Sequence, residues 1–232
     1  MKAAAIIAAG GVGKRMSMDR PKQYLDLLGG PIICHTLERF THTPDITKVI
    51  IVLPPADVKM FELEILKCYF QDLQNCEVTA GGEKRQDSVS NGLKLVPDDY
   101  DVVLVHDACR PFITARLIEE SIKIAWKEGA AIVAAPLKET VKKTNSDGYI
   151  DETLDRDVLW GAQTPQAFRL ALLREAMDAA YRDRFWGTDE AILVERLGLK
   201  VKLIKGDSRN IKITTPEDLV MAKAIAESWT EK

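Results

Sequence analysis

Apolar residues come in short unbroken runs, and between the runs they fall at helical spacing. Ala3–Ala8 is apolar on both faces and leads into Gly10-Gly11-Val12-Gly13, the form of a central parallel strand covered by helices. Pro31 suits the first turn of a helix in which Ile33, Leu37 and Phe40 share one face. Lys48–Leu53 reads as a second buried strand, stopped by Pro54-Pro55 and followed by a helix near 57–69. Glu77–Thr79 reads as a short strand before Gly81-Gly82, with a helix near 86–95. Val102–Val105 and Ala130–Ala135 are further strong strands. Between them Thr114 caps a helix that turns Ile118, Ile122 and Ala125 inward. This alternation predicts an α/β fold, a mostly parallel sheet between helices with right-handed crossovers.

The rhythm breaks after Pro136. Thr140–Thr144 and Tyr149–Thr153 are short, polar and β-prone, with the turn formers Asn145-Ser146-Asp147-Gly148 between them. They predict a β-hairpin arm, at about 137–163, projecting from the body. A lone two-stranded hairpin is marginal in water, so this arm needs a partner surface, which a second subunit would supply. Helices resume near 169–182 and 188–197, and Val201–Lys205 and Asn210–Ile213 read as late strands. Thr215-Pro216-Glu217-Asp218 starts a last helix that runs to about 228. No repeat or linker divides the chain, so residues 1–232 predict a single domain.

Composition narrows the chemistry. With 46% hydrophobic residues the chain is too apolar for a disordered one. Lys+Arg 32 against Asp+Glu 35 gives a net charge of −3, which argues against a nucleic-acid coat. An anionic ligand must then be drawn by a local cationic patch. Residues 3–9 fall far short of the ~20 needed to cross a bilayer, and Gly and Lys follow too soon for a signal peptide. The cysteines form no CxxC pair and the histidines add no zinc spacing. The expectation is a soluble cytoplasmic protein that binds neither nucleic acid nor membrane.

Five segments near strand ends carry the candidate chemistry. Ala8-Ala9-Gly10-Gly11-Val12-Gly13-Lys14-Arg15-Met16 is not a P-loop, since Ala8 and Arg15 break that motif. Met16 breaks the dinucleotide fingerprint in the same way. Glycines still let the backbone turn N–H groups toward phosphate, and Lys14 and Arg15 add full charges. The run continues through Arg20-Pro21-Lys22-Gln23-Tyr24, where Pro21 restricts the backbone beside Lys22. Asp107, in Val105-His106-Asp107-Ala108-Cys109-Arg110-Pro111, stands past a central strand, well placed for Mg2+. Gly81 and Gly82 allow backbone contact with a flat base, and Arg85 and Ser88 offer further donors. Lys212 faces opposite Ile211 and Ile213, toward solvent or a site. Solvated basic faces and a capping Asp are the bland readings of these segments; their common place at strand ends sets them apart. No G-x-S-x-G elbow and no paired carboxylates are seen, so the set fits transfer of a phosphorus centre by positioning and charge neutralisation.

The segments from Ala8 to Met16, Pro21 to Tyr24 and Val105 to Pro111, with Gln163-Thr164-Pro165-Gln166 and Asn210-Ile211-Lys212, resemble the 2-C-methyl-D-erythritol 4-phosphate cytidylyltransferases. The resemblance spans nearly the whole chain, in order. It implies a Rossmann-like nucleotidyltransferase fold, and joining of CTP to a branched sugar-alcohol phosphate with Mg2+, releasing pyrophosphate. Arg15, Lys22 and Lys212 would then be catalytic. Ala8, Ala9, Gly10, Gly11 and Gly13, with Gly82, Glu83 and Ser88, would bind the nucleotide. Asp107 would place metal or substrate, and Thr164, Thr188 and Lys212 would hold the methylerythritol phosphate. Thr140, Arg156 and Arg110 are similar to residues that reach substrate across a homodimer interface through the arm. Two positions depart from the family pattern: Glu83 is often Asp and Cys109 often Ala.

Three other activities compete with this reading. Ribitol 5-phosphate cytidylyltransferases share fold and chemistry, but tend to begin Leu-Ala-Gly-Gly and to carry Ser after the His-Asp. Ile7-Ala8-Ala9-Gly10 and Ala108 favour methylerythritol phosphate. A nucleotide-sugar glycosyltransferase would want an Asp-x-Asp metal motif, and Asp155-Arg156-Asp157 follows the arm, away from the core strands. A nucleotide sensor has no need of cations on both sides of a reacting centre.

Overall fold

The computed structural model describes residues 1–11, 21–70 and 75–228. The chain opens with β1 (Ala3–Ala8), a small hairpin of β2 (Asp26–Leu27) and β3 (Gly30–Pro31), α1 (Ile32–Thr41) and β4 (Ile46–Leu53). The short helices α2 (Val58–Met60) and α3 (Lys67–Tyr69) flank a π-helical turn, Phe61–Leu66. Then follow β5 (Cys76–Ala80), α4 (Arg85–Leu93), β6 (Val102–Asp107), α5 (Ala115–Glu128) and β7 (Ala130–Pro136). The arm is β8 (Lys142–Thr144) and β9 (Ile150–Thr153). The chain returns through β10 (Trp160–Arg169), α6 (Leu170–Arg182), α7 (Ala191–Arg196), β11 (Lys202–Lys205) and α8 (Pro216–Glu227).

Seven strands form one sheet in the order β11-β7-β10-β6-β1-β4-β5. Every neighbouring pair is parallel except where β10 runs antiparallel between β6 and β7. Ala3, Ala5 and Ile7 of β1 pack on one face with Leu37 and Phe40 of α1. Ala4 and Ile6 pack on the other with Val89 of α4 and Leu173 of α6. Both faces are covered, which is why β1 carries no polar alternation. A Cβ at Gly92 of α4 would stand 2.8 Å from Ile6 Cγ2, so glycine lets this helix lie close on the sheet. In the parallel register Ala8 stands beside both Val52 and Asp107, and Leu53 beside Ala80. The carboxyl ends of β1, β4, β5 and β6 therefore share one edge, where open α/β sheets bind ligands.

The α/β architecture agrees with the sequence pattern, and Thr114 caps α5 by accepting from Leu117 N at 3.3 Å. Three local expectations are corrected. The strand β10 was not anticipated, because its buried residues include Gln163, Thr164 and Gln166, and Pro165 interrupts it. Its register with β7 slips between Ala162 and Gln166. Asn210–Ile213 is irregular chain, not a strand; its main chain meets Cys109 and Arg110 instead of a ladder. The boundary near 163 falls inside β10, whose Trp160–Ala162 already pair with β7. The hairpin itself is present, and every residue of β8 and β9 is exposed. No helix of the described residues is long and apolar enough to cross a membrane.

Candidate active site

The shared strand edge opens into a cleft of ≈ 270 Å³. Its first wall is Ala8–Gly11, fixed by Ala9 N donating to Val52 O at 2.8 Å and Ala108 N donating to Ala8 O at 3.1 Å. Lys22, on the second wall, begins a 3-10 turn whose Tyr24 N donates to Pro21 O at 3.0 Å. Gln23 is buried beneath and donates to Ala9 O at 3.1 Å, tying the turn that carries Lys22 to the end of β1.

The third wall is Gly82, Glu83, Lys84, Arg85 and Ser88, at the start of α4. Gly82 N donates to Ser88 Oγ at 3.1 Å, and Lys84 N to Asp87 Oδ2 at 3.1 Å. A Cβ at Gly81 would stand 2.7 Å from Ser88 Oγ, and one at Gly82 would collide with Asp87 Cβ. Only glycine lets the backbone press this closely on the helix start, leaving its face open to a flat ligand.

The floor is Asp107 at the end of β6. Its Oδ2 lies 2.9 Å from Lys212 Nζ and accepts from Arg110 Nε at 3.3 Å. Burial would raise this carboxyl, but Lys212, Arg85 and Arg110 overcome that and hold it well below the usual carboxylate range. Arg110 also donates from Nη1 to Asn210 O at 2.7 Å, and Asn210 Nδ2 donates to Thr164 O at 3.0 Å. With Ile213 N donating to Cys109 O at 2.9 Å, this fastens residues 210–213 under the floor and aims Lys212 into the cleft.

Beneath Asp107 runs a buried polar chain. Asp107 N donates to Thr164 Oγ1 at 3.1 Å, and Thr164 Oγ1 lies 3.0 Å from His106 Nδ1. His106 Nε2 lies 3.1 Å from Arg110 O, which can only accept. Nε2 therefore carries the hydrogen, Nδ1 accepts from the Thr164 hydroxyl, and the ring is neutral. Burial pushes its pKa down to about 4. Burial likewise pushes the Cys109 thiol up to about 11, so this wall residue is a protonated thiol and not a nucleophile. All four cysteines are free thiols.

Of the candidate residues singled out in the sequence, the structure brings eleven to this cleft: Ala8, Ala9, Gly10, Gly11 and Lys22, then Gly82, Glu83, Arg85, Ser88, Asp107 and Lys212. Thr164 lies below the floor and Arg110 turns inward to its own chain. Thr188 is exposed, two residues before the buried Glu190. Thr140 and Arg156 stand exposed on the arm, where Arg156 Nη1 donates to Lys138 O at 2.9 Å. Arg15 and Gly13 lie outside the described residues. Asp155 Oδ1 accepts from Asp157 N at 3.1 Å, so the Asp-x-Asp triplet caps a turn. Lys84, whose Nζ lies 3.4 Å from the Trp186 ring centre, and the anchors Gln23 and Asn210 were not anticipated. Charge count in the 84–88 run was the available signal for Lys84; Gln23 and Asn210 lie in segments that carry the family resemblance, but nothing in the sequence marks them as anchors. Lys22, Lys84, Arg85 and Lys212 thus face Glu83 and Asp107, a cationic cleft in an acidic protein.

Comparison with known proteins gives the same direction. The family model described as 2-C-methyl-D-erythritol 4-phosphate cytidylyltransferase matches residues 3–228. A curated relative of that description from Syntrophus aciditrophicus is 46% identical over 223 residues, covering 96% of this chain and 95% of its own. Another from Geobacillus kaustophilus is 45% identical, covering 97% and 96%. The crystal structure of 4-diphosphocytidyl-2C-methyl-D-erythritol synthase from Anaerococcus prevotii superposes with a TM-score of 0.86 at 32% identity, covering 97% and 96%.

Proposed function

This chain belongs to the 2-C-methyl-D-erythritol 4-phosphate cytidylyltransferase family, and on that premise we propose how its cleft transfers CMP from CTP to 2-C-methyl-D-erythritol 4-phosphate. It is a cytidylyltransferase of isoprenoid-precursor biosynthesis, and the ribitol alternative is not favoured. A phosphate oxygen of the acceptor attacks the α-phosphorus of CTP. The new P–O bond forms as the bond to the bridging oxygen breaks, and pyrophosphate leaves. A phosphomonoester has a second pKa of about 6 and is mostly dianionic at pH 7, so no general base is needed.

The obstacle is repulsion between two polyanions. One pair of unit charges 4 Å apart at an effective dielectric of 20 interacts with about 4 kcal/mol. Lys22 on the second wall and Lys212 at the floor offset this and stabilise the charge growing on the transferred phosphorus, with Arg15 as a further cation. The glycine-lined wall at Gly82, with Glu83 and Ser88, takes the cytidine. Thr188 and Lys212 hold the acceptor, and Thr164 acts through Asp107 from below.

Mg2+ is the expected cofactor. No three carboxylates, histidines or cysteines cluster among the described residues, so a cage built by protein alone is not on offer. Mg2+ is commonly held by one or two carboxylates and substrate phosphates. Asp107 fits that pattern: it stays ionised, and Lys212 and Arg110 meet Oδ2, leaving Oδ1 as the ligand. Bound there with the triphosphate, the ion would neutralise phosphate charge.

The arm supports a homodimer. Tyr149, Ile150 and Val158 are 73%, 63% and 71% exposed, apolar surface that water disfavours. Docked on a second copy, the arm would carry Thr140 and Arg156 to that copy's cleft. The free thiols support a cytoplasmic location. The convergence of Lys22, Lys212 and Asp107 on a glycine-lined cleft at the strand ends carries the reading. Its test is an acceptor comparison at fixed CTP and Mg2+. Methylerythritol phosphate should release pyrophosphate far faster than ribitol 5-phosphate; the reverse order would refute the substrate assignment.

A further inference from the structure

Four consecutive residues at the start of α4 each grip the segment 181–190. Lys84 lies over the Trp186 ring, and Arg85 Nη1 meets Glu190 Oε1 at 2.5 Å. Gln86 takes both Phe185 O, at 3.2 Å, and Gly187 N, at 3.0 Å. Asp87 Oδ1 accepts from Tyr181 Oη at 2.9 Å. Glu190 is held from behind as well, since Gln166 Oε1 of β10 accepts from its backbone N at 3.1 Å. The pair Arg85–Glu190 differs from the other three grips. Arg85 lines the cleft while Glu190 is 1% exposed, and among the described residues Glu190 Oε2 is buried with no hydrogen-bond partner. A buried carboxylate with an unmet oxygen is a costly way to fasten a loop; a neutral side chain of the same shape would do it at lower cost. Arg85 commits only part of its donor fork to Glu190 and acts electrostatically on Asp107.

We propose that Arg85 is a further substrate-binding residue, a clamp for the acceptor's phosphomonoester, and that Glu190 is its positioning residue. The proposal rests on the cytidylyl-transfer reading and extends its acceptor side. The carboxylate fixes one edge of the guanidinium, and the remaining N–H donors meet phosphate oxygens in the planar, paired fashion that suits Arg. Because the same segment carries the exposed Thr188, seating Glu190 also seats the residue assigned above to the acceptor.

The test is steady-state kinetics of Arg85→Ala, Arg85→Lys and Glu190→Gln beside the unaltered protein, varying each substrate with the other saturating. Arg85→Ala and Glu190→Gln should each raise KM for the acceptor roughly tenfold, the size of one lost charge-assisted contact, and leave KM for CTP within about twofold. Arg85→Lys should recover part of the loss. An unchanged acceptor KM in Glu190→Gln, or a rise in KM for CTP alone, overturns the clamp. So does a lowered melting temperature with both KM values unmoved, the mark of a purely structural pair. If the unaltered protein releases no pyrophosphate from CTP with this acceptor, the underlying reading fails and calorimetry with inorganic phosphate reads the clamp by itself. Binding by the unaltered protein that disappears in Arg85→Ala supports it; equal binding, or none in either, overturns it.

Discussion

The floor of the cleft and the projecting arm both carry polar residues that the sequence marks for function, yet they are built in opposite ways. On the floor His106, Asp107, Thr164 and Asn210 are all buried, and each is hydrogen-bonded within the chain. On the arm β8 and β9 are exposed throughout, and Arg156 Nη1 donates to the carbonyl of Lys138 at the surface. A polar group taken from water must meet a partner, so burial fixes the floor to one geometry as the chain folds. The arm makes no such demand: its side chains bond one another at the surface, as Lys142 Nζ does to Thr153 Oγ1 at 2.7 Å, and stay open to water. The charges around Asp107 are therefore set by this chain alone, whereas the role proposed for Thr140 and Arg156 would need a second copy.

That contrast can be broken at several points, and the largest effect belongs to the floor. Lys212→Ala should lower kcat by about a hundredfold or more, the usual size for removing one preorganised group from a site of developing charge. The fold should persist, because the Lys212 side chain is partly exposed and Arg85 and Arg110 still act on Asp107; a collapse of the fold would instead make Lys212 a structural counterion to Asp107.

Acid should also unsettle the floor before the arm. The folded-state pKa of His106 lies near 4, below its ordinary value of 6.5, so the unfolded chain binds the proton first. Stability is then full above about pH 6.5, declines as pH falls, and has lost roughly 3 kcal/mol by pH 4. Urea melts across that window should show the slope, and His106→Gln should flatten it. An unaltered slope in the variant would place the sensitive group elsewhere.

Smaller effects sharpen the same comparison. Gly82→Ala forces a Cβ against Asp87 and must shift the start of α4. A strain of that kind should raise KM for CTP by about tenfold with little change in kcat. Tyr149→Ser on the arm should change the stability of a dissociated protomer by less than about 0.5 kcal/mol, as for most exposed sites. It should nevertheless weaken self-association in sedimentation, and unchanged sedimentation would remove the arm from the interface.

Much of this was legible before the structure, for identifiable reasons. Strands buried on both faces announce themselves as apolar runs, and β1, β4, β6 and β7 did so. Glycines at 10, 11, 81 and 82 mark places where the backbone can be closely approached, and they stand at the cleft or beside it. The antiparallel β10 was hidden, since its buried Gln163, Thr164 and Gln166 bond the main chain of Asp207, Asp107 and Glu190, contacts that no periodicity encodes. Residues 210–213 were misread as a strand because alternating Ile211 and Ile213 fit one; their bonds go to loops instead. Thr164, Arg110 and Asp107 could be named separately from sequence, but their linkage through His106 and Asn210 depends on contacts 46 to 100 residues apart.

The central claim is that cations converging on one cleft let one phosphate anion attack another. Pyrophosphate release from CTP and 2-C-methyl-D-erythritol 4-phosphate with Mg2+, measured for the unaltered protein and Lys22→Ala side by side, tests it most directly. The account predicts steady turnover by the first and a folded variant slower by two orders of magnitude or more. Near-normal turnover by Lys22→Ala would contradict it.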